Sequence, residues 1–313
     1  MTRPRGSRNG ITLKRITALE EILSPDRPVS VRYCMYTLLS KGLIGSSKDI
    51  AAVTSLCREL RVNGTFDDER FVDNRRRVEL VGMWAGLDDF YEWSSLVYKI
   101  NFWQDQPRHI ECWLEKDTTS FLVQGTTDKW RIPLRVSTGY FSRPFLCRAA
   151  QDLSQVIKPI TIVYIGDFDP SGLDIERAAR EGNGLEGSSR REGLFDILSK
   201  KYGWDYDRFN EQIDWKRIGV TREDFLGLPQ SARIPIKEDE EDESGERIKR
   251  GDPRAAHFKN DYGDFGAEVE AIEVYYPGLL AQRVEDAVID VIDSGIWVAS
   301  KKTEDLHLEE IIK

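Results

Sequence analysis

The stretch YIGDFDPSG, residues 164–172, closes an apolar run with Asp167 and Asp169. Side chains two apart on an extended backbone face the same way, so the two carboxylates point together. Like charges that close repel, and a hard divalent cation such as Mg2+ or Mn2+ relieves the repulsion. Mg2+ commonly takes one or two carboxylates together with waters and substrate phosphate, so phosphodiester chemistry is the first to consider. Ser171 and Gly172 open the following helix, whose first N–H groups could hold a phosphate. Glu115, at the end of an earlier apolar stretch, offers a third carboxylate. The same stretch also suits a plain Asp-Pro-Ser-Gly turn or cap with no ion involved.

These residues meet only if their carriers share one sheet. RHIECWLE (108–115), RIPLRVSTGY (131–140) and KPITIVYIGDFD (158–169) read as strands. The last is apolar almost throughout, as in a parallel strand buried on both faces. SRPFLCRAAQDL (142–153) and SGLDIERAARE (171–181) read as helices. The alternation predicts an α/β fold with a mainly parallel sheet flanked by helices, and ligands at the carboxyl ends of its strands. Segments 194–203 and 222–230 read as helix or turn. Residues 266–295 read as a short strand, a Tyr-Pro-Gly break and a long amphipathic helix, and 301–313 as a short or frayed tail.

Ahead of the sheet, 1–15 reads as a flexible basic arm and 16–85 as a small helical unit. Ser30 is placed to cap one helix, which Gly42 ends, and Gly64 ends the next. In that next helix Ile50, Val53, Leu56 and Leu60 form the apolar face, leaving Arg58 and Arg61 outside it as candidate DNA phosphate contacts. Residues 65–80 read as a turn and a strand pair. Three helices and a wing is the winged-helix variant of helix-turn-helix, and a generic helical unit fits the same spacing. An aromatic-rich connector, 86–106, follows, with Trp84, Trp93 and Trp103 expected in the core.

The net charge is −9, which by itself argues against a nucleic-acid binder. Its distribution softens that: EDEEDE (238–243) gathers six acids in one expected loop (236–250), while NRRRV (74–78) and the N-terminal arm are basic. Four scattered cysteines with no CxxC read as reduced thiols of a cytoplasmic protein, and three dispersed histidines exclude a histidine-built metal centre. No apolar stretch is long enough for a bilayer and no secretory h-region is visible, so no membrane role is expected.

HIECWLEKD followed by YIGDFDPSGLDI resembles the Toprim domain, the catalytic fold of topoisomerases, primases and several nucleases. EKD (115–117), STGYFSRPFL (137–146) and DPSGLDI resemble the A subunit of topoisomerase VI and its meiotic double-strand-break relatives, and AEVEAI (267–272) resembles the late strand of their bacterial and phage members. The resemblance implies a winged-helix domain at 16–85 and a Toprim domain at 107–300. It implies Glu115, Asp167 and Asp169 as Mg2+ (or Mn2+) ligands. In VRYCMY, Arg32 stands four before Tyr36, as an arginine does before the cleaving tyrosine of the family. The family usually carries two adjacent tyrosines, and here Met35 precedes Tyr36.

The resemblance implies Mg2+-dependent cleavage of duplex DNA through a phosphotyrosine, as in type IIB topoisomerases, by a homodimer at the nucleoid. In the topoisomerase relatives each tyrosine acts with the partner's Toprim. A hydrolytic nuclease is the alternative, and a non-catalytic DNA- or partner-binding scaffold the rival class. Lys116 and Arg143 are candidate phosphate contacts, Glu268 and Glu270 candidate supports of the metal, and DPR (252–254) with His257 has no role assigned. No GxxxxGK[ST] stretch occurs, so strand passage would need a separate ATPase subunit.

Overall fold

The computed structural model describes residues 10–23, 28–46, 49–71, 82–183, 191–236, 240–241, 247–249 and 254–311. It begins with three helices, α1 (Gly10–Glu20), α2 (Val31–Ser40) and α3 (Ile50–Val62). Ser30 caps α2 as expected, its hydroxyl accepting the Tyr33 N–H at 3.1 Å. Gly42 and Gly64, both at positive φ, follow α2 and α3. α1 starts inside the stretch expected as a flexible arm, because Ile16 and Leu19 give it an apolar face to bury. The expected wing falls mostly on 72–81, outside the described residues; before it, Phe71 bridges to Val29.

Helix α4 (Leu87–Val97) is the expected connector, but it buries none of its residues. Trp84 and Trp93 are 39% and 44% exposed, against the expectation of core, whereas Trp103 is buried. The two exposed tryptophans and Phe90 meet one another edge-on or tilted, as a small surface cluster.

A four-stranded parallel sheet then forms from β1 (His109–Leu114), β2 (Leu134–Val136), β3 (Ile160–Ile165) and β4 (Ile213–Arg217), in the order β2-β1-β3-β4. Between the strands run α5 (Gln124–Trp130), α6 (Arg143–Ser154), α7 (Pro170–Glu181), α8 (Leu194–Tyr202) and α9 (Tyr206–Gln212). Alternation along β3 sorts its side chains. Ile160, Ile162 and Tyr164 pack with α6, α8 and Trp113, while Val163 and Ile165 face a second, larger core. That larger core is continuous from Leu19 and Leu38 in the N-terminal helices through Cys112 to Val284.

After β4 come α10 (Arg222–Gly227), β5 (Ile234–Pro235), β6 (Glu240–Glu241), β7 (Arg247–Lys249), α11 (Ala255–Tyr262), β8 (Phe265–Gly266), α12 (Val269–Tyr275), α13 (Leu279–Ile289) and α14 (Ser294–Ile311). Two residues of the acidic run, Glu240 and Glu241, pair antiparallel with β7 instead of lying in an open loop. The strand expected over 267–272 stops at Ala267, which bridges to Phe168, and α12 begins at Val269. Asp167 drives the change, because its Oδ1 accepts the Val269 N–H at 3.0 Å and satisfies a first-turn donor. As far as Ile311 the tail completes α14, held by Arg131 Nη2 on Glu304 Oε1 at 2.6 Å. Among the described residues no helix is long and apolar enough to cross a membrane.

Candidate active site

β1 connects outward to β2, and the chain then crosses back to place β3 on the other flank of β1. The carboxyl ends of β1 and β3 therefore bound a crevice where the winding reverses, the usual ligand position of open parallel sheets. Glu115 follows β1 there, and Asp167 and Asp169 follow β3. Glu115 N–H donates to Ile165 O at 3.0 Å, and Asp167 N–H donates to Glu115 Oε2 at 3.2 Å, tying the two strand ends together. Gly166 is obligatory in this contact, because a Cβ there would lie 2.6 Å from Glu115 Oε2.

Asp169 caps α7, its Oδ1 accepting the Gly172 N–H at 2.7 Å. The N–H expected for a phosphate is thus already used, and Gly172 serves the close approach of α7 to the Asp167 backbone. Ser171 Oγ accepts from Arg254 Nη2 at 3.1 Å. Glu268 and Glu270, at the start of α12, join the same edge. Lys116 is not a surface residue: its ammonium pairs with Asp167 and stands 3.7 Å from Glu268 and 3.6 Å from Glu270.

The N-terminal helices reach this edge through α2, which packs on α12. Arg32 and Tyr36, one helical turn apart, grip one acid between them. The Arg32 guanidinium pairs with Glu268 Oε1, and the Tyr36 hydroxyl donates to Glu268 Oε2 at 3.1 Å. Tyr36 is fully buried, and Tyr33 instead packs edge-on against Phe121.

Crowding shifts the protonation of these groups. Burial, then the charge of Asp167, pushes the Glu115 carboxyl up to about 8. Burial and the same charge raise Asp169. Burial lifts Glu270 to about 7 against the pull of Lys116. Burial opposes the Lys116 charge, but Asp167, Glu270 and Glu268 hold its ammonium well above the ordinary range. Burial, then the Glu268 and Glu270 charges, raises Tyr36, so its phenol stays protonated here.

Five carboxylates thus face two cations, Lys116 and Arg32. An all-oxygen donor set with excess negative charge suits Mg2+ or Mn2+. Among the described residues no three His, Cys, Asp or Glu side chains already stand ready to hold a metal ion, and the ammonium of Lys116 lies among the acids instead.

The other expected residues lie apart. Arg143 pairs with Glu192 at 2.8 Å on the surface. Arg61 lies over Phe71 and pairs with Asp68 at 3.5 Å, inside its own helical unit, while Arg58 is exposed on α3. His257 is exposed, and Arg254 joins Asp174 at 3.2 Å. Sequence reasoning missed Arg217, which reaches from β4 to the carbonyls of Gly166 (3.2 Å) and Asp167 and steadies the loop between them. Its only signal was the basic end of IDWKR, a strand too short to stand out. No protein-family model matches the sequence, and no curated protein does.

Proposed function

We propose that this chain cleaves DNA in a Mg2+- or Mn2+-dependent way at the β1/β3 edge, with Tyr36 as the attacking group. On this reading the N-terminal helices are a winged-helix unit and the sheet a Toprim domain. One observation carries it: Arg32 and Tyr36, remote in sequence from the acids, converge on Glu268 beside Glu115, Asp167 and Asp169. A buried tyrosine and a half-exposed arginine meeting a carboxylate cluster at a sheet switch point suit phosphodiester chemistry better than packing.

Glu115, Asp167 and Asp169 would hold the cation, which supplies charge stabilisation on the phosphate oxygens. Tyr36 Oη attacks phosphorus, forming a phosphotyrosine ester, while the bond to one deoxyribose oxygen breaks and that oxygen takes a proton. Glu268 is placed to receive the proton that Tyr36 gives up. Arg32 offsets the charge on Glu268 and faces the incoming phosphate from the half-exposed side of α2. Because Tyr36 is buried, α2 must lift from α12 for DNA to enter.

The burial of Tyr36 also favours a second reading, in which α2 stays seated and water attacks in place of the phenol. Supercoiled plasmid with Mg2+ or Mn2+, quenched with denaturant before and after protease, separates the two. Metal-dependent breaks that vanish in Asp167→Asn, with protein left on the ends and none in Tyr36→Phe, are the expected outcome. Free ends and an active Tyr36→Phe would establish hydrolysis. An intact plasmid under every condition would sink both readings and leave a DNA- or partner-binding scaffold.

A further inference from the structure

Glu270 is not explained by the site as described. It is fully buried at 0% exposure, and neither of its carboxylate oxygens has a hydrogen-bond partner. A buried carboxylate without hydrogen bonds is costly, and an apolar residue would fill the same place at the start of α12 without that cost. Its nearest cation is Lys116 Nζ, at 3.6 Å from Oε2, and Glu268 Oε1 is 3.7 Å from the same nitrogen. Both distances exceed a hydrogen bond. The ammonium is therefore tethered by Asp167 alone and only attracted by the two glutamates.

We propose that Asp167, Glu268 and Glu270 form a second divalent-cation position, which the Lys116 ammonium fills in the structure and from which Mg2+ or Mn2+ displaces it. The proposal rests on the metal-dependent reading above, but on different residues. Three carboxylates around one point are an oxygen-only set of the kind hard cations take. A lysine is a compact charge on a flexible stem, able to swing out where an arginine fork would not. Glu268 belongs to this set and also holds Arg32 and Tyr36, so a cation here competes directly with the α2 contact. Occupation of the second position would loosen the buried tyrosine that must move for DNA to enter.

Mn2+ titration of the full chain, read by the electron paramagnetic resonance of the free ion, tests this without any cleavage assay. The wild type is expected to bind two Mn2+ per chain, and Glu270→Gln to keep one. Lys116→Met should tighten one site by about tenfold or more, because removing a unit charge at this range is worth more than that even in a high effective dielectric. Asp169→Asn should lose the other site and leave the lysine-sensitive one. Identical titrations for the wild type, Glu270→Gln and Lys116→Met would overturn the proposal. If circular dichroism shows Glu270→Gln unfolded, Lys116→Met decides alone. A single Mn2+ that only Asp169→Asn removes would sink the second position and leave the proposed function standing. No Mn2+ bound by the wild type or by Lys116→Met would sink both.

Discussion

Glu111 and Glu115 stand on the same run of chain, both buried, in opposite surroundings. Burial pushes the Glu111 carboxyl up, but hydrogen bonds from His109 and Arg135 win and hold it down to about 2. Arg135 grips it with two nitrogens, at 2.6 and 3.0 Å, and Trp113 Nε1 adds a third bond at 2.9 Å. Glu115 has no such cation of its own and faces Asp167. One glutamate is a structural anchor and the other is left crowded by a like charge, and their neighbours make the difference. A carboxyl held below its unfolded value stabilises the fold above about 4.5, and that contribution is lost as pH falls from there through about 2. It is worth about 3 kcal/mol. Glu111→Gln is therefore expected to lose about that much at neutral pH and to show a flatter stability profile between pH 4.5 and 2 in urea titrations. An unchanged profile would show that other acids carry the acid sensitivity.

At the scale of elements, α2 is the piece whose position matters most, since it carries Arg32 and Tyr36. Ser30→Ala removes its cap and should cost about 1 kcal/mol by chemical denaturation. If a cation competes with the α2 contact as proposed, Mn2+ should bind this variant at least as tightly as the wild type; a weakened affinity would mean that α2 helps to form the metal positions. Much of this layout was legible in the sequence. β1, β3, α6 and α7 follow from apolar runs and caps, and Glu115, Asp167 and Asp169 from their places after strands. The rest depended on distant contacts. Nothing local in AEVEAI announces that Asp167 will cap Val269 and turn the segment into helix. Lys116 reads equally as a phosphate contact or a surface residue until the end of β1 is set beside α12. Trp84 and Trp93 look like core by composition, yet α4, which meets the flank of α14, buries none of its residues.

For the whole molecule, the continuous core joining the N-terminal helices to the sheet predicts that they unfold together. All eight tryptophans lie after residue 83, so their fluorescence reports on the connector, sheet and C-terminal helices alone. Far-UV circular dichroism, which also sees α1–α3, should follow the same denaturation curve. An early loss of helix with unchanged fluorescence would show that the N-terminal unit melts by itself, the kind of motion that the proposed DNA entry would require.

The grip of α2 on Glu268 also has a history during synthesis. Arg32 and Glu268 lie 236 positions apart, and Tyr36 and Glu268 lie 232 apart. At ribosomal rates, roughly 10–50 s separate the emergence of the phenol from that of its acid. For the later part of that interval the nascent chain holds Tyr36 and Glu115 but neither Glu268 nor Glu270. If the edge cuts DNA as proposed, a copy truncated by a broken message or a stalled ribosome before α12 lacks part of its cutting centre, and the order of the residues along the chain guards the genome from unfinished enzyme.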